Sequence, residues 1–116
     1  MKIVIKTTNI EATEGLLQSV TKKLNKLVKV SQKQVSPDAV LNIEIGKETK
    51  HHEKGKIFFA EGHITWGKLD IYEHITADDL YGAIEALARE MTRKFVSIKE
   101  KLTSKERRGS RLAKNQ

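Results

Sequence analysis

Four lysines, Lys22, Lys26, Lys29 and Lys33, recur at intervals of four and three through a segment whose apolar residues do the same. At about 100° per residue this spacing sets them on one side of a helix and Val20, Leu24 and Leu27 on the other. Lys23 falls at the border, and only Glu14, at the start of the segment, opposes them. An array of ammonium groups displaces counterions from a polyanion, above all along nucleic-acid phosphates. A lysine face can also be merely solvated, but a neutral surface carries interspersed carboxylates that this one lacks. A second basic set follows, with Arg89 and Arg93 spaced for the outward face of a later helix, Lys94 and Lys101 on one flank and Lys99 on the other. The candidate RNA contacts are therefore Lys22, Lys23, Lys26, Lys29, Arg89, Arg93, Lys94, Lys99 and Lys101.

Other chemistry is weaker. His51 and His52 are adjacent in a polar loop beside Glu48 and Glu53. Neighbouring side chains off a regular element rarely converge on one metal, so a solvated loop is expected. His63 and His74, on wet strand faces, would make an acid/base pair, but no nucleophile or positioned carboxylate accompanies them. Lys54-Gly55-Lys56-Ile57-Phe58-Phe59 faintly resembles the first RNA-contact motif of an RRM, in which outward Phe59 and Tyr72 would stack on bases. The element order after it is wrong for that fold. Tyr81 reads as a helix-edge packing residue with a wet hydroxyl. No glycine loop for phosphate exists, and without cysteine neither disulfides nor thiolate metal sites can form. The expectation is no enzyme, no metal and no cofactor.

The elements that must position the basic residues follow from periodicity. Met1 to Thr8 alternates around Ile3 and Ile5 as a strand. Thr13 is a helix N-cap candidate, and the stripe Leu16, Leu17, Val20, Leu24, Leu27, Val28 predicts one helix to about Ser31. Ser36-Pro37-Asp38 interrupts it. Leu41, Ile43 and Ile45 alternate with Val40, Asn42 and Glu44 as a strand with one wet face. After a polar loop, Phe58, Ala60, Gly62 and Ile64 alternate with Phe59, Glu61, His63 and Thr65. Trp66-Gly67-Lys68 joins that strand to the next, at Leu69 and Ile71. Glu73 falls on the inward phase, which predicts a bulge or strand end. Thr76 is a second N-cap candidate, with Asp78 and Asp79 in the first turn. The stripe Leu80, Ile84, Leu87, Met91, Phe95, Ile98, Leu102 then predicts about six turns of helix.

The order β-α-β-β-β-α, one stripe per helix and a sheet with one wet face predict an α+β two-layer sandwich. Its four-stranded mixed sheet should carry both helices on one face, the first two strands parallel through a right-handed crossover and the rest a meander. The 116 residues suit a single domain at 1–102 with a basic flexible tail at 103–116. That tail sets Lys105, Arg107, Arg108, Arg111 and Lys114 against Glu106, a balance of +4. The whole chain stands at +7, with 38% apolar and 32% charged residues, an ordinary globular balance with a field that attracts polyanions. No apolar run is long enough to span a membrane and the first residues do not read as a signal peptide, so the expected address is the cytoplasm.

These residues together resemble the ribosome hibernation promoting factor family, which includes the ribosome-associated inhibitor also called protein Y. Met1-Lys2-Ile3-Val4-Ile5 and Glu11-Ala12-Thr13-Glu14 are similar to its first strand and helix start, and Lys23-Leu24-Asn25-Lys26-Leu27 to its basic first helix. Ala60-Glu61 with Ile64 resembles its third strand. Asp79-Leu80-Tyr81-Gly82-Ala83-Ile84-Glu85 resembles its best-known run, usually Asp-Met-Tyr-Ala-Ala-Ile-Asp, and Arg93 with Lys99-Glu100-Lys101-Leu102 the basic end of its second helix. The resemblance covers about residues 1 to 102. It implies a factor seated on the small ribosomal subunit, in the mRNA and tRNA channel, with both helices toward rRNA. Lys23, Lys26, Lys29, Arg93, Lys99 and Lys101 are the contacts it implies. Ser97 stands where the family often has another lysine. Gly82 replaces an alanine, at a cost of about 1 kcal/mol, which a close approach of backbone and sheet would explain. The second domain of the long-form members is not expected here.

The expected function is thus a translation inhibitor and hibernation factor of the stress response, a monomer that binds small-subunit rRNA by phosphate contact and shape. It is expected to inactivate single ribosomes without joining two. Two other functions fit the same residues: a free-standing double-stranded RNA binder using the helix face, and an adaptor pairing protein partners through the open sheet face.

Overall fold

The computed structural model describes residues 1–32, 34–48 and 57–114, with side chains up to residue 98. Lys33, the His51–His52 pair, the opening of the RRM-like run at 54–56, and the side chains of Lys99, Lys101 and Leu102 lie outside the described residues.

Strand β1 (Lys2–Thr8) is followed by Thr13 in extended backbone, φ −75° and ψ 152°, whose hydroxyl accepts from the Leu16 N–H at 3.1 Å. That bond satisfies one of the free amides of helix α1 (Glu14–Lys23). The single helix expected to about Ser31 is two segments, α1 and α2 (Asn25–Ser31), joined at Leu24. The joint is mild. Leu24 keeps φ −86° and ψ −2°, and 3.0 Å bonds from Leu24 N–H to the Val20 carbonyl and from Val28 N–H to the Leu24 carbonyl run across it. The inward stripe is therefore continuous, with Leu16, Val20, Leu24 and Leu27 buried and Leu17 and Val28 half-buried.

The sheet runs β1-β2-β3-β4, with β2 at Val40–Lys47, β3 at Phe58–Trp66 and β4 at Leu69–Ala77. β1 lies parallel to β2 with Ile3 opposite Leu41 and Ile5 opposite Ile43, and the remaining pairs are antiparallel. The β3–β4 hairpin turns on Gly67 and Lys68, with Gly67 at φ +58°. Glycine at the first turn position with positive φ matches the right-handed twist of the flanking strands. Leu41, Ile43, Ile45, Ala60, Ile64 and Ile71 share the inner face and form one core with the α1–α2 stripe and with Ile84, Leu87, Met91 and Phe95 of helix α3 (Leu80–Lys114). Each of the larger side chains contributes about 1.5–3 kcal/mol by leaving water. α3 covers β3 and β4, α2 packs beside it, and all three helices thus form one layer.

Several expectations are corrected. No bulge or strand end occurs at Glu73: β4 pairs without interruption, and Glu73 faces Gly62. The carboxylate is tolerated on the inward phase because Lys94 Nζ of α3 lies 2.6 Å from its Oε2. Thr76 is not a cap but a strand residue opposite Phe59. Asp79 caps α3 instead, its Oδ2 accepting from the Gly82 N–H at 2.8 Å, and Asp78 and Asp79 precede the first turn. Gly82 makes no close approach to the sheet, since a Cβ there would meet only Asp79. The tight glycines are Gly62, whose Cβ would lie 2.4 Å from Met91 Sδ, and Gly46, whose Cβ would lie 2.0 Å from the Thr8 carbonyl oxygen. α3 also continues as helix beyond residue 102, to Lys114. Among the described residues no helix is long and apolar enough to cross a membrane.

Candidate nucleic-acid interface

On the outside of the helix layer, opposite the buried Val20, Leu24 and Leu27, Lys22, Lys26 and Lys29 are exposed. Arg89 and Arg93 are exposed on α3, opposite Leu87, Met91 and Phe95. The two helical systems meet at Lys23. Its Nζ lies 2.5 Å from Glu85 Oε1 and 5.8 Å above the centre of the Tyr81 ring. This contact brings the basic surfaces of α1 and α3 side by side.

The nominated cations differ in what already holds them. Among the described residues, no ion pair engages Lys22, Lys26, Lys29 or Arg89. Arg93 is held by Glu90 one turn back, Nη2 to Oε2 at 2.9 Å and Nε to the same oxygen at 3.2 Å. Lys94 turns away from the helix face toward β4, where it donates to Glu73 and, at 2.9 Å, to the Tyr72 carbonyl. It fastens α3 to the sheet and blunts the β4 edge. Lys99 and Lys101 continue along the α3 backbone. The roles of Tyr81 and Glu85 at the seam escape a sequence reading. Their i, i+4 spacing places them on one helix face, but nothing local points to Lys23, 62 positions from Glu85.

The outer face of the sheet is built differently. Cross-strand registers align Val4, Asn42, His63 and Tyr72 in one row and Lys6, Glu44, Glu61 and His74 in the next. His63 Nε2 sits 2.7 Å from Asp70 Oδ1, and His74 lies 3.5 Å from both Glu48 and Glu61. The Tyr72 hydroxyl donates to Glu61, and this bond, together with some desolvation and the Glu61 and Glu73 charges, raises its pKa. Phe59 lies on the outer-face phase, as the alternation predicts, but it is not open to stack on a base. It is 7% exposed and lies parallel to the His74 ring, 5.6 Å away. Contrary to the sequence-based expectation, positioned carboxylates accompany both histidines: Asp70 at His63, and Glu48 and Glu61 at His74. No cluster of three or more metal-capable side chains occurs among the described residues.

A four-stranded mixed sheet under one helix layer with a cationic outer surface defines a small α+β domain. The family described as "Sigma 54 modulation protein / S30EA ribosomal protein" matches residues 3–103, and the chain belongs to that family of ribosome-associated modulation factors. Two solved structures share the fold. The N-terminal domain of protein Y from Thermus thermophilus gives a TM-score of 0.62 at 19% identity, over 82% of this chain and 96% of that one. A ribosomal subunit interface protein from Coxiella burnetii gives 0.62 at 15% identity, over 86% of this chain and 99% of the other. No curated protein matches the chain.

Proposed function

We propose that the chain is a cytoplasmic, non-enzymatic hibernation factor that binds small-subunit rRNA in the mRNA and tRNA channel and halts translation reversibly. The observation that carries this reading is the set Lys22, Lys26, Lys29 and Arg89, four exposed cations on one helix layer with no ion-pair partner among the described residues. Cations already paired inside a protein gain little from phosphate. Unpaired ones release counterions from it and give a steep salt dependence. Arg93 contributes after exchanging Glu90 for phosphate, whereas Lys94 is a fastener and not a contact. Lys99, Lys101 and the basic run at 103–114 supply further phosphate contacts in this reading. The name of one structural neighbour, a ribosomal subunit interface protein, agrees with a site between subunits.

The test is co-sedimentation with purified small subunits over a range of salt, with and without mRNA and tRNA bound. The parent binds vacant subunits with a steep salt slope and is displaced by mRNA and tRNA. The variant Lys22→Gln, Lys26→Gln, Lys29→Gln binds more weakly with a shallower slope. Equal binding of parent and variant, or indifference to a filled channel, would sink the reading. The chain acts as a monomer, so vacant ribosomes mixed with it alone stay single in a gradient.

A further inference from the structure

One residue does not suit a surface that only grips phosphates. Glu85 stands with its side chain 60% exposed at the α1–α3 seam, where it repels a phosphate backbone. Only its Oε1 is engaged, by Lys23 Nζ; its Oε2 and the remaining ammonium protons have no hydrogen-bond partner among the described residues. Tyr81, one turn earlier on α3, is 45% exposed beside the same pair. The seam therefore presents a hydrogen-bond donor, an adjacent acceptor and a partly exposed aromatic ring within one notch.

The Watson–Crick edge of guanine is the complement of that order. Its O6 accepts, and its adjacent N1–H and N2–H groups donate together to a carboxylate. Cytosine presents the reverse order, and adenine offers a single exocyclic donor with no oxygen acceptor. Unstacked bases of RNA are characteristically held on aromatic side chains while their edges are read. We propose that Tyr81, Glu85 and Lys23 form a base-reading notch for one unpaired guanine, within a face that otherwise reads phosphates. Tyr81 stacks on the base, the Glu85 carboxylate takes N1–H and N2–H, and Lys23 donates to O6. This rests on the RNA-binding reading of the helix face and adds sequence preference to it.

The experiment uses the full chain and labelled single-stranded RNAs of about nine nucleotides, all cytidine or with one central guanosine or inosine, followed by fluorescence anisotropy at fixed salt. The parent binds the guanosine oligomer about tenfold more tightly than the all-cytidine one, the discrimination a two-hydrogen-bond base contact supplies. Inosine, lacking the N2 amine, falls between. Glu85→Gln and Tyr81→Leu reduce the preference below about threefold without weakening all-cytidine binding, while Tyr81→Phe keeps it. Both substituted sites are exposed, and unchanged melting curves verify the fold. A parent that binds the oligomers alike or not at all, or a Glu85→Gln variant that keeps the preference, overturns the notch. The Lys22, Lys26, Lys29 variant reads the underlying face separately. If it loses ribosomes while the parent shows no guanine preference, the notch falls and the helix-face reading stands.

Discussion

The helix layer and the outer sheet face both carry many charges, but their central groups are held differently. On the helix side Lys22, Lys26, Lys29 and Arg89 have no ion-pair partner among the described residues. On the sheet side His63 meets Asp70, Tyr72 meets Glu61, and His74 lies between Glu48 and Glu61. Groups that satisfy one another within the fold have less to gain from a partner. Groups left to water keep their full attraction for one, because exchanging water and counterions for phosphate is favourable where exchanging an existing ion pair is nearly neutral. Net charge, +7 for the whole chain, does not separate these cases. The pattern of pairing does.

The largest effects should erase the comparison by removing the core both faces rest on. Leu87→Ala or Phe95→Ala, at fully buried positions, should cost about 2–5 kcal/mol in denaturant unfolding. A variant melting like the parent would mean that this side of α3 is not the packed one. Gly46→Ala should cost about 1–3 kcal/mol, because its Cβ meets the Thr8 backbone and β1 must move. Gly62→Ala should cost less, since the atoms it meets end the flexible Met91 and Ile43 side chains.

Charge substitutions then separate the two faces. Lys22, Lys26 and Lys29 changed together to glutamine should lower the salt slope of small-subunit binding by about two to three, with little change in melting. Glu44 and Glu61 changed together to glutamine should leave that affinity within about twofold, a difference near 0.4 kcal/mol. A larger loss from the sheet pair than from the lysines would invert the comparison. Glu73→Gln, which breaks the partly exposed bond to Lys94, should cost at most about 1 kcal/mol and leave binding unchanged.

The smallest effect is confined to alkaline solution. Hydrogen bonding to Glu61 raises the Tyr72 pKa above the ordinary value of about 10. The phenol is thus favoured in the fold, and its contribution is complete below the unfolded value and lost as pH rises through the folded one. Ultraviolet titration should find one tyrosine ionising late, and Glu61→Gln should bring it down. A Tyr72 that titrates at the free value in the parent would remove this hydrogen bond from the sheet face.

Apart from the joint at Leu24, periodicity and local chemistry alone determined the order of strands and helices, the inward phase of their buried residues, the Thr13 cap and the hairpin at Gly67, because each depends on residues a few positions apart. They also marked Lys22, Lys26, Lys29, Arg89 and Arg93 as outward, since a helix angle is a local quantity. What they left undecided depends on distant partners. Glu73 stays in an unbroken strand because Lys94 of α3 supplies a countercharge. Asp79 rather than Thr76 starts α3 because β4 keeps pairing to Ala77 before the helix begins. Phe59 is stacked on His74, brought beside it by strand register. Whether a lysine is free or engaged is likewise tertiary: Lys22 and Lys23 are neighbours in sequence, yet only Lys23 reaches across the seam to Glu85. A side chain's direction is set by its own turn of helix or strand, but its partner is set by the packing of elements tens of residues apart.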